Sequence, residues 1–130
     1  MVQQRFLVES VWQVGEMLES ELIRIEGGIV VLALNGRLTL GSRLSQLEAE
    51  VKTLANAGSL KVILDLEHIE YADSAALGVL LHASSTLKAK GGQLLLAAPN
   101  QRLRDLFTLT NTTALMSIYP DRAACVSHLL

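Results

Sequence analysis

Cysteine and aromatic residues are scarce in this chain. The single cysteine, Cys125, excludes an internal disulfide and fits a reducing compartment. Aromatic residues make up only 4% of the 130 residues, although half of the chain is hydrophobic. The core therefore has to be built from Leu, Val, Ile and Ala. That amount of apolar material is enough for a packed core, so a disordered chain is not expected.

Clustered positive charge and long hydrophobic runs are also missing. The eleven Lys and Arg residues are scattered and the formal net charge is −2, so the electrostatic footprint of nucleic-acid binding is absent. No apolar run approaches the roughly 18 residues that span a bilayer. Glu9, Ser10 and Gln13 interrupt the N-terminal apolar stretch, so no signal peptide is expected. We therefore expect a cytoplasmic protein that neither inserts into a membrane nor binds nucleic acid.

Residues 1–20 form an N-terminal extension that the sequence describes least well. Its apolar residues are spaced for a short amphipathic helix; they are Phe6, Leu7, Val8, Val11, Trp12 and Val14. Met17 is compatible with a later start of translation. Three roles stay open for the extension: packing on the domain, mediating a homodimer, or disorder.

Residues 21–130 have the patterning of one domain in which strands and helices alternate. Residues 21–26 alternate like a strand, and Gly27-Gly28 then predicts a two-residue hairpin turn. Residues 29–34 are continuously aliphatic, which favours a strand buried on both faces. Asn35-Gly36 is expected to end that strand.

Three further strands and four helices follow along the chain. The strands are predicted at 60–66, 93–98 and 115–119. The first helix is predicted between a cap at Ser42 and a stop at Gly58, and the second over residues 74–90. The third is predicted to begin after a cap at Asn100, and the fourth after Pro120-Asp121. This order predicts an α/β fold: a mostly parallel sheet of about five strands with an N-terminal antiparallel hairpin, covered by about four helices.

No recognised catalytic or metal-binding pattern is present. His68, His82 and His128 lie far apart in sequence and have no ligand partners at metal-site spacing. His82 is interpreted as solvent-facing or structural in preference to a partner contact, and Cys125 as a small buried hydrophobe. The chain has neither a GxSxG elbow nor a Walker A sequence. We expect no enzyme activity, no cofactor and no metal.

One segment stands out, DLEHIEYADSAALGVLL at residues 65–81. A buried strand is predicted to end at Leu66, followed by a polar loop and then by a helix. Asp73 and Ser74 both favour the N-cap, where free backbone N–H groups point outward. The segment is compatible with a simple capped helix. The alternative is an exposed serine whose phosphate would meet the helix dipole favourably but would be repelled by Asp73.

This segment resembles the STAS family pattern, in which a strand ends in Asp-Leu and a hydrophobic and aromatic pair precedes Asp-Ser-Ser-Gly-Leu-Gly. Weaker matches are LNGRL at 34–38, AKGGQLLLAAPN before the next helix, LRDLFTLTNT at 103–112, and the closing DRAACVSHL. Residues 21–130 thus resemble the STAS fold of bacterial anti-sigma factor antagonists.

The resemblance implies a regulatory protein that binds another protein. Members of the antagonist type bind an anti-sigma factor, usually a serine kinase, and thereby release the sigma factor; phosphorylation at the helix start abolishes binding and a phosphatase restores it. The implied partner surface is residues 71–78, with Ser74 at its hydrogen-bonding centre. The other predicted contacts are Tyr71, Asp73, Ala75, Ala76 and Gly78, whereas Leu77 and Leu80 are expected to pack inward.

The chain departs from the family pattern at the residue that is usually phosphorylated, because Ala75 occupies the position of the second serine. Ala76 replaces the following glycine. The protein would then be a constitutive binder, or Ser74 would take the phosphate instead. Asp-Ser-Ala and Leu80-Leu81-His82 also resemble STAS accessory subunits of lipid-trafficking ABC transporters, which bind the ATPase subunit. The N-terminal extension and the final helix favour the antagonist type.

Overall fold

The computed structural model describes residues 6–9 and 18–130, with side chains described from Leu18 onward. Six strands form one sheet in the order of the chain. They are β1 (Phe6–Glu9), β2 (Leu18–Ile25), β3 (Ile29–Leu38), β4 (Lys61–Ala72), β5 (Gln93–Ala97) and β6 (Ser117–Tyr119). The helices are α1 (Ser42–Asn56), α2 (Ser74–Ala89), α3 (Gln101–Leu109) and α4 (Arg122–Leu129), with a 3-10 turn at Thr113–Leu115.

The predicted α/β fold is confirmed. The pairs β1–β2 and β2–β3 are antiparallel, and β3 to β6 run parallel to one another. All five predicted strands and all four predicted helices are present. The structure adds β1 at the outer edge of the antiparallel part.

The sheet separates two apolar cores. Helices α1, α2 and α3 pack on one face, and α4 packs on the other. Because successive side chains of a strand point to opposite faces, Val30 and Leu32 of β3 enter the first core while Ile29 and Val31 enter the second. The aliphatic run at 29–34 is therefore buried from both sides, as its pattern predicts.

The predicted N-terminal helix is wrong for residues 6–9. These residues form β1, in which Phe6 lies opposite Ile25 and Glu9 opposite Leu22. The free edge of β2 offers backbone partners to this segment, and Phe and Val favour strands. The other members of the predicted set, Val11, Trp12 and Val14, lie outside the described residues.

The predicted polar loop after Leu66 is also wrong, because β4 continues to Ala72. Its partner β3 likewise continues past Asn35-Gly36 to Leu38. The pairing between these strands contains two register shifts, typical of β-bulges. They leave Glu67 and His68 exposed while Leu66 and Ile69 stay buried. Polar composition at 67–68 therefore marks an irregular strand, and that strand leads directly into α2.

Side chains cap three of the four helices. Asp73, Asn100 and Asp121 accept hydrogen bonds from the backbone N–H three residues further on in α2, α3 and α4. The predicted cap at Asn100 is confirmed. Ser42 is not a cap, because it is the first residue of α1 and Gly41 takes the cap position without a side-chain bond.

Candidate functional site

The predicted partner residues lie where β3, β4 and β5 end and α1, α2 and α3 begin. Because these strands are parallel, their carboxyl ends meet at the same edge of the sheet, which is where sites commonly form in parallel α/β sheets. We call residues 37–42, 70–78 and 98–102 the carboxyl-end surface.

Asp73 joins two of the segments. Its Oδ1 accepts the Ala76 N–H at 3.1 Å and its Oδ2 accepts the Leu40 N–H at 2.8 Å. Its own N–H donates to the Leu38 carbonyl at 3.0 Å. Both carboxylate oxygens are therefore engaged with backbone, so Asp73 positions the start of α2. The Leu40 side chain is left 80% exposed beside it.

The first turn of α2 presents Ser74 and hides Ala76. Ser74 is exposed, and within the described residues its hydroxyl makes no hydrogen bond. Ala75 is half-buried and packs against the core. Ala76 is fully buried, so its side chain cannot serve as the contact that the sequence predicts. Leu77 and Leu80 are buried as expected.

Gly78 is exposed at the start of the second turn of α2, and a Cβ built on it would meet nothing within 4 Å in the described residues beyond its own helix backbone. A glycine inside a helix costs roughly 0.5–1 kcal/mol relative to alanine. Packing within the described residues gives no reason for this cost. Ser74 lies four residues earlier, so the two residues share one exposed face of α2.

Tyr71 contacts two arginines at the end of β4. The guanidinium carbons of Arg37 and Arg102 are each 5.5 Å from the centre of its ring, within the range of about 6 Å for cation–π contacts. Arg37 lies opposite Tyr71 in the β3–β4 register, and its Nε donates to the Glu70 carboxylate at 3.2 Å. Tyr71 is predicted from the sequence as a partner contact, whereas neither arginine is. Arg37 lies within the LNGRL match, whereas nothing local in the sequence points to Arg102.

Asn100 does more than cap α3. Its Oδ1 accepts the Leu103 N–H at 3.0 Å, and its Nδ2 donates to the carbonyls of Ile69 and Glu70, each at 3.0 Å. This side chain therefore fixes the first turn of α3 against the end of β4. The preceding Ala98 adopts a φ of +55°, which is rare for a residue other than glycine.

An ion pair between the buried Asp65 and the partly exposed Arg122 supports β4 from the other face of the sheet. Asp65 is 4% exposed; its Oδ2 accepts from Arg122 Nε of α4 at 2.8 Å and its Oδ1 accepts the Glu67 N–H at 3.1 Å. Nearby, burial raises the pKa of the Cys125 thiol to about 11, with smaller contributions from Asp65 and Asp121. The thiol is protonated at neutral pH and therefore unreactive.

The three histidines are separated in space as well as in sequence. The Nδ1 atom of His82 lies 3.1 Å from a Glu48 carboxylate oxygen of α1, the ring of His128 lies 5.2 Å from that of Tyr119, and His68 is exposed. Over residues 6–9 and 18–130, no group of three or more His, Cys, Asp or Glu could hold a metal ion. In the same residues, none of the helices combines the length and the hydrophobicity that crossing a bilayer requires.

Comparisons with known proteins point to one family. The family model described as the STAS domain matches residues 22–125. The chain is 27% identical over 100 residues to BtrV of Bordetella bronchiseptica, named as a candidate anti-sigma factor antagonist, and the match covers 77% of this chain and 85% of BtrV.

Solved structures agree. A candidate anti-sigma factor antagonist of Thermotoga maritima superposes with a TM-score of 0.73 at 25% identity, over 79% of this chain and 88% of that one. Bacillus SpoIIAA in its phosphorylated form shares the fold, with a TM-score of 0.67 at 21% identity over 85% of this chain and 99% of that one. The chain belongs to the STAS domain family.

Proposed function

We propose that this STAS domain binds an anti-sigma factor of the serine-kinase type through its carboxyl-end surface and so releases a sigma factor. The observation that carries the proposal is the exposed face of α2, where Ser74 and Gly78 lie accessible and without internal partners in the described structure. The similarity to BtrV, named as a candidate anti-sigma factor antagonist, supports an anti-sigma factor as the partner.

The chemistry of the surface suits binding better than catalysis. A nucleophilic serine needs a neighbouring base that takes its proton. Within the described residues, no hydrogen bond joins Ser74 to a histidine or a carboxylate, and the adjacent Asp73 is occupied by two backbone N–H groups. The Ser74 hydroxyl is therefore available to a partner as an ordinary donor and acceptor.

We further propose that the phosphorylation switch is absent from its usual place. SpoIIAA occurs in a phosphorylated form. At the position that the family pattern assigns to the phosphorylated serine, this chain has Ala75, which has no hydroxyl and packs partly against the core. The protein then acts as a constitutive binder. Incubation with a cognate kinase is expected to add almost no phosphate, whereas stoichiometric phospho-Ser74 in a mass spectrum would show that the switch has moved by one residue.

The binding proposal is tested by calorimetric titration with each purified anti-sigma factor of the serine-kinase type from the source organism. Saturable binding of the wild-type protein is expected. Ser74→Asp should weaken it more than tenfold, about 1.4 kcal/mol, because the new carboxylate lies beside Asp73 at the contact. Ser85→Asp is the matched control, since Ser85 is exposed further along the same helix.

Two outcomes would contradict the proposal. If the wild-type protein and Ser74→Asp bind with equal affinity, the start of α2 does not contact the partner. Failure of every anti-sigma factor to bind, together with saturable binding of the ATPase subunit of a lipid-trafficking ABC transporter, would assign the chain to the transporter type instead.

A further inference from the structure

The two arginines that contact Tyr71 differ in their ion-pair and hydrogen-bond partners. Arg37 has a carboxylate partner in Glu70, at 3.2 Å. Arg102 is exposed and stacks on Tyr71, and over residues 18–130 no ion pair or hydrogen bond of its side chain is found. Its guanidinium therefore keeps all five N–H donors for solvent or for a bound group.

Three carboxylates of the segments around Arg102 already have partners of their own. Glu70 pairs with Arg37. Asp73 accepts from two backbone amides, and Asp105 accepts from the Gln101 amide at 2.8 Å. None of these groups forms an ion pair with Arg102. Within residues 18–130 the Arg102 guanidinium thus has no carboxylate partner, and its N–H donors can bind a carboxylate from another molecule.

The position of Arg102 is set by the framework around it. Asn100, two residues earlier, is bonded to the Ile69 and Glu70 carbonyls at 3.0 Å, which fixes the first turn of α3 beside β4. Tyr71 then supplies a flat aromatic face to the guanidinium at 5.5 Å. A side chain that is already placed loses less conformational entropy when a partner binds.

From these contacts we infer that Arg102, held on Tyr71, is a specificity-determining contact for an acidic segment of the protein partner. A partner Asp or Glu carboxylate accepts two N–H groups of the guanidinium, the geometry in which arginine binds carboxylates most strongly. The inference rests on the proposed function, because it names the chemistry that the partner presents to the same surface.

The first test compares Arg102→Gln with Lys90→Gln in calorimetric titrations against the anti-sigma factor that binds the wild-type protein. Both substitutions remove one positive charge, but Lys90 lies at the far end of α2. Arg102→Gln should weaken binding about tenfold and reduce the dependence of affinity on salt between about 50 and about 300 mM. An affinity of Arg102→Gln within twofold of that of Lys90→Gln would overturn the inference.

A second pair of variants tests the role of the Tyr71 ring. Tyr71→Phe keeps the aromatic face, so its affinity should fall less than that of Tyr71→Leu. Tyr71→Leu keeps every charge but removes that face, so affinity should fall several-fold. When Arg102→Gln is already present, adding Tyr71→Leu should lower the affinity much less. Independent, additive losses in the double variant would show that Tyr71 does not act through Arg102.

A third measurement separates failure of this inference from failure of the proposed function. Two synthetic peptides are titrated into the isotope-labelled full-length chain while NMR chemical shifts are recorded. One peptide is Glu-Glu-Leu-Glu and the other is Gln-Gln-Leu-Gln. The acidic peptide alone should shift the Arg102 Nε–H and its neighbours. If the chain distinguishes the two peptides but binds no anti-sigma factor, only the proposed function is refuted. If it responds equally to both peptides, the preference for an acidic segment is refuted.

Discussion

The connecting segments at the two ends of the parallel strands are fixed in different ways. At the carboxyl end, side chains make the junctions: Asp73 joins α2 to the segment after β3, and Asn100 joins α3 to β4. At the amino end, the turn before β5 requires the absence of a side chain, because a Cβ on Gly92 would overlap the Leu60 carbonyl oxygen. Changes at the amino end should therefore alter stability, and changes at the carboxyl end should alter binding.

Gly92→Ala carries the largest expected effect on stability. The added methyl group must displace the Leu60 carbonyl, which also accepts the Gln93 N–H at 2.8 Å. We expect a loss of about 2–3 kcal/mol in the free energy of unfolding, as for other overpacked sites. Urea denaturation measures this loss, and the fraction that stays folded should bind the partner as the wild-type protein does.

The neighbouring glycine provides the control. Gly91 has a φ of +82°, but apart from its chain neighbours a Cβ built on it would meet nothing within 4 Å among the residues that the structure describes. Gly91→Ala should therefore cost only the backbone strain, roughly 1–2 kcal/mol. If Gly92→Ala were no more destabilising than Gly91→Ala, the close approach of Gly92 to Leu60 would not limit which residue can occupy the turn before β5.

The sequence predicts features that depend on neighbours along the chain and misses those that depend on register. Aliphatic runs and helical spacing locate β2 to β6 and all four helices, and the Asn100 cap is a local property. Strand β1 forms only because the β2 edge is free to pair with it. The tail of β4 contains polar residues that look like a loop until its bulged pairing with β3 is known.

The same distinction applies to the site. Asp73 and Ser74 are recognisable as residues of a helix start, and the family pattern draws attention to them. The stacking of Arg37, Tyr71 and Arg102 depends on where β3 meets β4 and on how α3 is anchored. The burial of Ala76 follows from the rotation of α2 against the sheet. Neither can be derived from a residue and its sequence neighbours.

Asp73→Ala is expected to have the next largest effect on stability and to act at the carboxyl end. It removes the α2 cap and leaves the Leu40 N–H without its acceptor, so we expect a loss of about 1–2 kcal/mol. Fraying of the first turn also displaces Ser74, so partner affinity should fall as well. Thermal unfolding and calorimetric titration measure the two effects.

Asp121→Ala is the matched control for this variant. Asp121 caps α4 through the Ala124 N–H at 2.8 Å and lies outside the carboxyl-end surface. Its loss should cost about 1 kcal/mol of stability and leave partner affinity unchanged. Parallel losses of affinity in both variants would mean that general destabilisation, rather than the position of Ser74, controls binding.

Gly78→Ala is expected to have the smallest effect on stability, and that effect has the opposite sign. In the described part of the chain the added methyl group meets nothing within 4 Å beyond the backbone of its own helix. Because alanine favours a helix over glycine, the free energy of unfolding should rise by about 0.5–1 kcal/mol. Affinity should nevertheless fall several-fold, because the methyl group lies on the face that Ser74 shares. A variant that is more stable and binds equally well would restrict the contact to residues before Gly78. If affinity falls while stability rises, the helix retains a glycine at a cost to stability because the partner needs close approach to its backbone.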